Sequence, residues 1–362
     1  MSGHSILNKK IVLTGGGTAG HVTPNIALLP YLKEAGYEVS YIGSYDGIEK
    51  KLITDFDIPY YGIATGKFRR YLDLKNLTDP FRVIKGLAQA RKYLKKIKPD
   101  VVFSKGGFVS VPVVRAAASL HIPCIIHESD MTPGLANKLC IPVVKKICCN
   151  FPETLSMLPK EKAVLTGSPI RDELTKGDKL SALDLCNFTA NKPVILVIGG
   201  SLGAASVNKV VREALPKLLN DFQIVHICGK DKIDNMFLHM EGYIQFEYVK
   251  NELKDLFAMA DIVVSRAGAN SICELLALKK PNLLVPLSAN SSRGDQILNA
   301  KSFESQGFSM VIDDDYLSAD LLTEKVTELY FTRQTYIDAM GKSNQLSSIK
   351  TIMNLIEDAS CA

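Results

Sequence analysis

The chain repeats one pattern: a short, continuous apolar run followed by a segment with helical periodicity. Ten runs predict strands, namely KIVLTG, YEVSYIG, DVVFSKGG, PCIIHE, KKICCN, PVILVIGG, QIVHICG, IQFEYV, DIVVSRAG and NLLVPL. Strands that are apolar along their whole length and are separated by helices are typical of parallel sheets covered on both faces. The pattern therefore predicts an α/β fold.

The alternation stops once, in a polar stretch over residues 171–192, and then starts again. The 362 residues are enough for two domains. We predict two Rossmann-like domains whose parallel sheets face each other across a cleft, one over 1–168 and one over 169–339. The helical C-terminal segment, 340–362, is a candidate to complete the first domain.

Composition excludes several classes of protein. With 46% hydrophobic and 22% charged residues, the chain is globular rather than disordered. No apolar run reaches the roughly 18 residues of a membrane-spanning helix, and the N-terminus lacks a signal-peptide core, so we expect a cytoplasmic protein. The eight cysteines have no C-x-x-C spacing, which favours buried free thiols over disulfides or zinc.

Three predicted strands lead into glycine loops that precede helices: GGGTAGH, SKGGFVSVP and GGSLGA. Gly15, Gly17 and Gly20 fit G-x-G-x-x-G, but the acidic ribose ligand of dinucleotide-binding folds is missing after the second strand. Thr23 is predicted to cap the next helix, with Pro24 at its first position, so that free N–H groups face the loop. We expect the three loops to line one cleft; plain tight turns are the alternative.

The segment 261–299 has the most specific pattern. A strand ends in an Ala-Gly-Ala turn, Asn270 or Ser271 is predicted to cap the next helix, and Glu274 is expected on its first turn. Exposed N–H groups suit a diphosphate, and a carboxylate can accept both ribose hydroxyls. An acid that only favours the helix dipole is the alternative for Glu274.

These motifs resemble the MurG family. They are GGGTAGHVTPN, SKGGFVSVP, HESDMTPGLANK, GSPIR, GGSLGA and SRAGANSICELLAL…PNLLVPLS…GDQILNA, in this order from residue 11 to about 300. The resemblance implies the two-domain GT-B fold and an inverting transfer of N-acetylglucosamine from UDP-GlcNAc to undecaprenyl-pyrophosphoryl-MurNAc-pentapeptide, in peptidoglycan synthesis and cell division. Ala19, Leu202 and Asp130 depart from residues common in the family.

The resemblance also implies a binding site. Glu274 would hold the ribose, Gln296 and Asp295 the sugar, and the backbone near Lys250 the uracil. The expected UDP-GlcNAc residues are Thr18, Ala19, Gly20, Asp130, Arg171, Ser201, Lys250, Ala269, Asn270, Ser271, Glu274, Asp295 and Gln296. The loops expected to hold the acceptor and its phosphates contain Gly15, Gly16, Gly17, Gly106 and Gly107.

Glycosyl transfer with one inversion needs a base for the acceptor hydroxyl and stabilisation of the leaving diphosphate. His21, beside the first glycine loop, is the candidate base, and a hydrogen bond to the backbone or a phosphate is its alternative role. Glu128 is a weaker catalytic candidate that could instead be structural. No D-x-D pair is present where a metal would bind, so we expect no metal and no cofactor, with Arg171 and helix N-termini facing the diphosphate.

Positive charge is concentrated in residues 67–98, which hold eleven Lys or Arg and a net charge of +9. Such a segment is attracted to anionic headgroups, so we expect peripheral binding to the inner face of the cell membrane. The expected contacts are Lys67, Phe68, Arg69, Arg70, Tyr71 and Leu72. Over 82–98 an amphipathic helix is predicted to pack Ile84, Leu87, Leu94 and Ile97 on the sheet.

Other functions fit parts of the sequence. The donor motif and the basic segment also suit a glycosyltransferase for another lipid, such as diacylglycerol. The first glycine loop permits a dinucleotide-dependent oxidoreductase, and a non-catalytic sugar-nucleotide-binding module is a third alternative. No nucleic-acid partner is expected, because no recognition motif accompanies the basic charge. Other cell-wall synthesis proteins are candidate partners.

Overall fold

The structure, a computed structural model, describes residues 9–66, 79–199, 204–289 and 294–361. The chain divides into two compact units. The first contains the described residues up to Arg171 and those from Ser347 onward, and the second is Asp172–Leu346. Each unit is built on its own parallel sheet.

The first unit has a seven-stranded sheet within the described residues. Its strands are β1 (Lys9–Thr14), β2 (Tyr37–Ser44), β3 (Tyr60–Ile63), β4 (Val101–Ser104), β5 (Cys124–Glu128), β6 (Lys146–Cys149) and β7 (Ala163–Leu165). They lie in the order β3-β2-β1-β4-β5-β6-β7, and every pair is parallel. The central position of β1 and β4 brings their glycine loops to the middle of one sheet edge.

Helices cover both faces of this sheet. They are α1 (Thr23–Glu34), α2 (Ile48–Ile53), α3 (Asp79–Ile97), α4 (Ser110–Ala118) and α5 (Leu135–Cys140). In β1, Val12 packs into one core cluster with residues of α3 and α4, whereas Ile11 and Leu13 pack into a second cluster with residues of α1. Because successive side chains point to opposite faces, a strand buried on both faces must be apolar throughout.

The second unit repeats the architecture with a six-stranded parallel sheet. Its strands, in the order β10-β9-β8-β11-β12-β13, are β8 (Val194–Ile198), β9 (Gln223–Ile227), β10 (Tyr243–Phe246), β11 (Ile262–Ser265), β12 (Asn282–Leu284) and β13 (Met310–Val311). Its helices are α6 (Lys179–Cys186), α7 (Ala205–Leu218), α8 (Leu253–Met259), α9 (Ala269–Ala277), α10 (Asp295–Ser305) and α11 (Ala319–Gly341). The prediction of two Rossmann-like parallel sheets is confirmed. All ten predicted strands are present.

The C-terminal helix α12 (Ser348–Ser360) belongs to the first unit. Its Ile352, Ile356 and Ala359 are buried in the same core cluster as Ile11 and Leu13 of β1. At the far end of the helix, the Tyr37 hydroxyl donates to Glu357 over 2.8 Å. The last helix of the chain therefore completes the core formed by the first strand.

The packing of α3 corrects a prediction. Leu94 and Ile97 are buried as expected, but Ile84 is 64% exposed and Leu87 is 37% exposed. Gly86 and Ala90 are the residues that face the protein in that part of the helix. A Cβ at Gly86 would lie 2.1 Å from the Ala64 carbonyl oxygen, so the helix passes too close to the preceding loop for a larger side chain to face inward.

Candidate functional site

The first glycine loop connects β1 to α1 through a 3₁₀ turn, Ala19–His21. This turn corrects the predicted helix cap, because residue Val22 precedes the helix and no side chain caps it. The Thr23 hydroxyl donates to the Ala19 carbonyl over 2.9 Å instead of accepting from a helix N–H. The short turn moves the helix start by one residue and leaves His21 at the end of the loop.

Buried groups hold the loop from below. The Tyr41 hydroxyl donates to the Gly15 carbonyl over 2.8 Å, and Asn25 Nδ2 donates to the Thr14 carbonyl over 3.1 Å. The buried Glu49 carboxylate accepts from the Gly17 N–H over 3.1 Å. Consequently the Gly17 N–H already has an acceptor within the protein.

His21 is half-buried in this loop. Its Nδ1 lies 3.1 Å from the Thr18 hydroxyl oxygen. Burial, assisted by the charge of Lys105, lowers the pKa of His21 to about 4. The imidazole is therefore neutral at pH 7 and able to accept a proton.

The second glycine loop, which follows β4, packs backbone against backbone on the first. Gly107 has a φ of +83°, and a Cβ there would lie 2.2 Å from the Gly16 carbonyl oxygen. The same Cβ would lie 3.3 Å from His21 Nδ1. Gly107 is thus required both by its left-handed backbone and by the approach of the two loops.

Lys105 is a buried cation that the sequence analysis missed. Its side chain lies at the carboxyl end of β4, where Nζ is 2.7 Å from His127 Nδ1 and 2.7 Å from the Ser129 hydroxyl oxygen. From the sequence, a lysine beside two glycines at a strand end is expected to be a solvent-exposed loop residue. The signal that points to its burial is its position directly after a strand at the centre of the sheet.

Glu128 occupies a position suited to a structural brace. Its carboxylate accepts from the Gly134 N–H over 2.9 Å, from Asn137 Nδ2 over 2.8 Å and from the Asp130 N–H over 3.1 Å. Burial raises the pKa of Glu128, although these donors oppose the rise. The bonds fix the loop between β5 and α5, and Asp130 is half-buried within that loop.

In the second unit, β11 leads into α9, where the structure corrects another prediction. The helix begins at Ala269 after Gly268, and neither Asn270 nor Ser271 caps it. Glu274 therefore lies beyond the first turn and is half-buried. The physical reason is that Gly268 takes up the extended conformation before the helix, which leaves the N–H groups of residues 269–271 at the helix start.

Other predicted donor residues lie around the same sheet edge. Gln296 is near the start of α10, and its Oε1 accepts from the Leu287 N–H over 3.1 Å. Asp295 is the first residue of that helix. Lys250 is exposed, and its N–H donates to Glu252 over 3.1 Å.

The remaining predicted residues are distributed as follows. Thr18, Ala19, Gly20 and Asp130 lie on the first unit, as does Arg171 at its boundary. Arg171 is half-buried, and its Nε has no hydrogen-bond partner among the described residues. Ser201 and the membrane-contact residues 67–72 lie outside the described residues. In the structure His21 lies with the first two glycine loops, and residues 269–274 and Gln296 lie on α9 and α10 of the second unit.

A buried ion pair lies against the first turn of α7. Arg266 donates to the Ser206 hydroxyl over 2.8 Å and pairs with Asp314 over 2.9 Å. Ser206 lies in the first turn of α7, the helix that follows the third glycine loop. This contact holds the start of α7 to the end of β11.

Two further observations bear on membrane insertion and on the cysteines. In the described parts of the chain, no helix combines the length and apolarity that crossing a bilayer requires. All eight cysteines are free; seven of them are buried and Cys361 is exposed.

The chain is similar to known proteins over most of its length. Residues 11–149 match the family described as Glycosyltransferase family 28 N-terminal domain, and residues 194–356 match the Glycosyltransferase family 28 C-terminal domain. A protein of Lachnospira eligens named UDP-N-acetylglucosamine–N-acetylmuramyl-(pentapeptide) pyrophosphoryl-undecaprenol N-acetylglucosamine transferase is 68% identical, over 97% of this chain and 99% of its own length. A protein of the same name from Lachnoclostridium phytofermentans is 62% identical with the same coverage.

Solved structures agree with the fold. The crystal structure of Acinetobacter baumannii MurG superposes with a TM-score of 0.76 at 26% identity, over 97% of this chain and 99% of that one. The calicheamicin glycosyltransferase CalG4 superposes with a TM-score of 0.71 at 13% identity, over 98% of each chain, a likeness of fold alone.

Proposed function

The chain belongs to the MurG family of glycosyltransferase family 28, and we propose that it transfers N-acetylglucosamine from UDP-GlcNAc to undecaprenyl-pyrophosphoryl-MurNAc-pentapeptide in peptidoglycan synthesis. The observation that carries the proposal is the 68% identity to a transferase of that name along nearly the whole of both chains. The GT-B fold of two Rossmann-like domains is the scaffold on which such transfers occur. The site geometry supports a division of the reaction between the two units.

The second unit is proposed to bind the donor. Three N–H groups at the start of α9, those of residues 269–271, would donate to the diphosphate. Glu274, one turn further along, would accept the hydroxyls of the ribose. Gln296 offers its amide nitrogen to the sugar, because its oxygen already binds the Leu287 N–H.

The first unit is proposed to activate the acceptor. The hydroxyl oxygen of the acceptor forms a bond to the anomeric carbon of N-acetylglucosamine while the bond from that carbon to the UDP oxygen breaks. His21 takes the hydroxyl proton, for which it must be neutral, and the low pKa of His21 meets that requirement. UDP leaves with the electron pair, and Arg171 with the helix N–H groups would stabilise its charge.

A turnover assay tests the proposal. Radiolabelled UDP-GlcNAc is incubated with the purified chain and either the undecaprenyl-pyrophosphoryl-MurNAc-pentapeptide, diacylglycerol or no acceptor. The expected result is label transfer to the MurNAc lipid alone. Transfer to diacylglycerol would identify the alternative glycosyltransferase, and binding of UDP-GlcNAc without transfer to either lipid would identify a binding module.

We further propose that the protein binds an anionic membrane surface, as a lipid-linked acceptor requires. Support comes from the start of α3, where exposed Ile84 and Leu87 are interleaved with exposed Arg82 and Lys85. Apolar side chains amid cations combine shallow insertion with attraction to headgroups. Replacing Lys67, Arg69 and Arg70 by Glu should release the protein from anionic vesicles in flotation while its affinity for UDP-GlcNAc stays unchanged.

A further inference from the structure

Lys105 has no part in the reaction as described so far. Its side chain is 1% exposed, and burial of an ammonium group costs free energy. The contacts to His127 and Ser129 hold Nζ in one place at the carboxyl end of β4. A fixed cation beneath a proposed active-site loop therefore calls for a physical explanation.

The positive charge of this cluster lies on Lys105 itself. His127 Nε2 donates to the Gly167 carbonyl over 2.9 Å, so its Nδ1 accepts from the ammonium. Burial and the lysine charge together hold the pKa of His127 well below its usual value. On the neighbouring strand β6, burial raises the pKa of the Cys148 thiol to about 12, so this group is also neutral at pH 7.

The backbone of Lys105 is fixed to the first glycine loop. Its N–H donates to the Thr14 carbonyl over 2.9 Å, and a Cβ at Gly15 would lie 3.3 Å from the Lys105 Cβ. Gly107, two residues further along, faces His21 Nδ1. The lysine thus lies directly behind the loop that holds His21.

Two charged groups act on His21 from the surrounding elements. Lys105 at the end of β4 disfavours the protonated imidazole, and Glu49 on α2 favours it. Burial acts in the same direction as Lys105 and is the largest influence on the pKa of His21, while a backbone hydrogen bond with Gly16 opposes it. The uncharged Thr18 hydroxyl also lies beside the ring, 3.1 Å from Nδ1.

We propose that Lys105 is a positioning residue for the transfer reaction, acting on His21 through its charge and without contact to substrate. The proposal rests on the proposed role of His21 as the base. The fixed cation keeps a proton off the imidazole before the acceptor binds. When the anionic diphosphate of the acceptor arrives, its charge offsets that of Lys105, and the imidazole becomes more basic at the stage that needs a base.

The direct test is a titration of the His21 imidazole by NMR in the full chain without substrate. The variants are Lys105→Met, Lys105→Arg and, as matched control, Lys145→Met, which removes an exposed lysine of the same unit. The wild type, Lys105→Arg and the control should share a midpoint near pH 4. Lys105→Met should raise the midpoint by about half a pH unit or more. An unchanged midpoint in Lys105→Met overturns the proposal.

Folding of the variants is checked by circular dichroism. Lys105→Gln serves where Lys105→Met does not fold, because an amide can still donate to Ser129 or His127 without carrying charge. The wild-type titration also stands alone, since a midpoint at the ordinary value of 6.5 overturns the proposal whatever the variants do.

Kinetics separate this proposal from the proposed function. The acidic limb of kcat/KM should move to higher pH in Lys105→Met, as the imidazole midpoint does, which a merely structural lysine would not cause. If the imidazole midpoint moves but the limb does not, His21 is not the base, and the role of Lys105 in catalysis is overturned together with it. Absence of transfer in the wild type, with the midpoint shift intact, would instead refute the proposed function.

Discussion

The two units carry different functional groups at the carboxyl edges of their parallel sheets. In the first unit, Glu49, Lys105, His127 and Glu128 are all buried around the glycine loops, with His21 half-buried among them. In the second unit, the proposed ligand-binding residues of α9 and α10 are helix N–H groups and half-buried side chains. Proton transfer needs groups whose pKa is adjusted by burial and charge, whereas a diphosphate and hydroxyls need fixed donors and acceptors. The difference agrees with the proposed division, in which the first unit supplies the base and the second binds the donor.

The largest expected effect comes from His21→Ala. A base contributes typically about 10² to 10⁴-fold to the rate, so kcat should fall by at least about a hundredfold. The dissociation constant for UDP-GlcNAc, measured by calorimetry, should stay near that of the wild type because the proposed donor residues of α9 lie on the second unit. His121→Asn is the control, since it replaces an exposed histidine of the first unit by a residue that tolerates its left-handed backbone.

A fall in kcat of less than about fivefold would identify His21 as a residue that only braces the loop. The base would then have to be sought elsewhere. Glu128 is poorly suited to that role, because its carboxylate already accepts hydrogen bonds from three donors. That result would remove the main contrast between the two units.

Glu274→Ala tests the second unit. Loss of a charge-assisted hydrogen bond to ribose should weaken UDP-GlcNAc binding by about 1.5 to 3 kcal/mol, as measured by calorimetry. Glu241→Ala, which removes an exposed acid of the same unit, should leave binding unchanged. An unchanged dissociation constant for Glu274→Ala would mean that the carboxylate only supports α9.

The sequence predicted the parallel sheets well because buried strands are apolar over their whole length. The ten predicted strands do not include β3, β7 and β13, which are short edge strands with few residues to show a pattern. Helix starts were less predictable: Thr23 has the residue type of a cap, but a 3₁₀ turn ahead of it supplies a different partner for its hydroxyl. A local pattern cannot show which partner competes for a side chain.

Lys105 illustrates the limit for the site. Its burial depends on His127 and Ser129, which are more than twenty positions away in the chain and are brought close by strand pairing. Ile84 and Leu87 show the reverse, since their helical spacing predicts burial while the close approach of Gly86 to the Ala64 carbonyl decides which face packs. In both cases tertiary contacts override what the side chain and its spacing indicate.

A third prediction concerns a buried histidine that lies outside the proposed reaction. Burial, with the charge of Arg212, lowers the pKa of His226 to about 3, and its ring bonds Tyr243 and Asn208. The unfolded chain binds this proton as the pH falls below 6.5, whereas the folded chain does so only near 3, so the contribution to stability is present above 6.5 and is lost as the pH falls. Between about pH 7 and pH 5 the loss should be about 2 kcal/mol.

Urea unfolding at the two pH values measures this loss. His226→Gln should reduce the pH dependence while transfer activity continues, and His239→Gln, at an exposed position of the same unit, should retain it. An equal pH dependence in the wild type and in His226→Gln would show that this histidine does not contribute to acid sensitivity. A loss of transfer in the folded His226→Gln variant would show that a buried ionisable group of the second unit also matters for catalysis. That result would weaken the contrast between the two units.

The smallest expected effect concerns exposed apolar side chains, and it distinguishes the units by their surfaces. Ile84 of the first unit and Leu180 of the second are similarly exposed, at 64% and 67%, but only Ile84 lies among the cations of α3. If the first unit alone contacts the membrane, Ile84→Ser should weaken partitioning to anionic vesicles by about 1 kcal/mol, roughly fivefold, through lost insertion of apolar surface. Leu180→Ser should leave partitioning unchanged.

Because neither side chain is buried, both variants should retain the stability of the wild type, so a difference in flotation reports the surface and not the fold. Equal losses for the two variants would place both units at the membrane, and no loss for either would move the contact away from the start of α3.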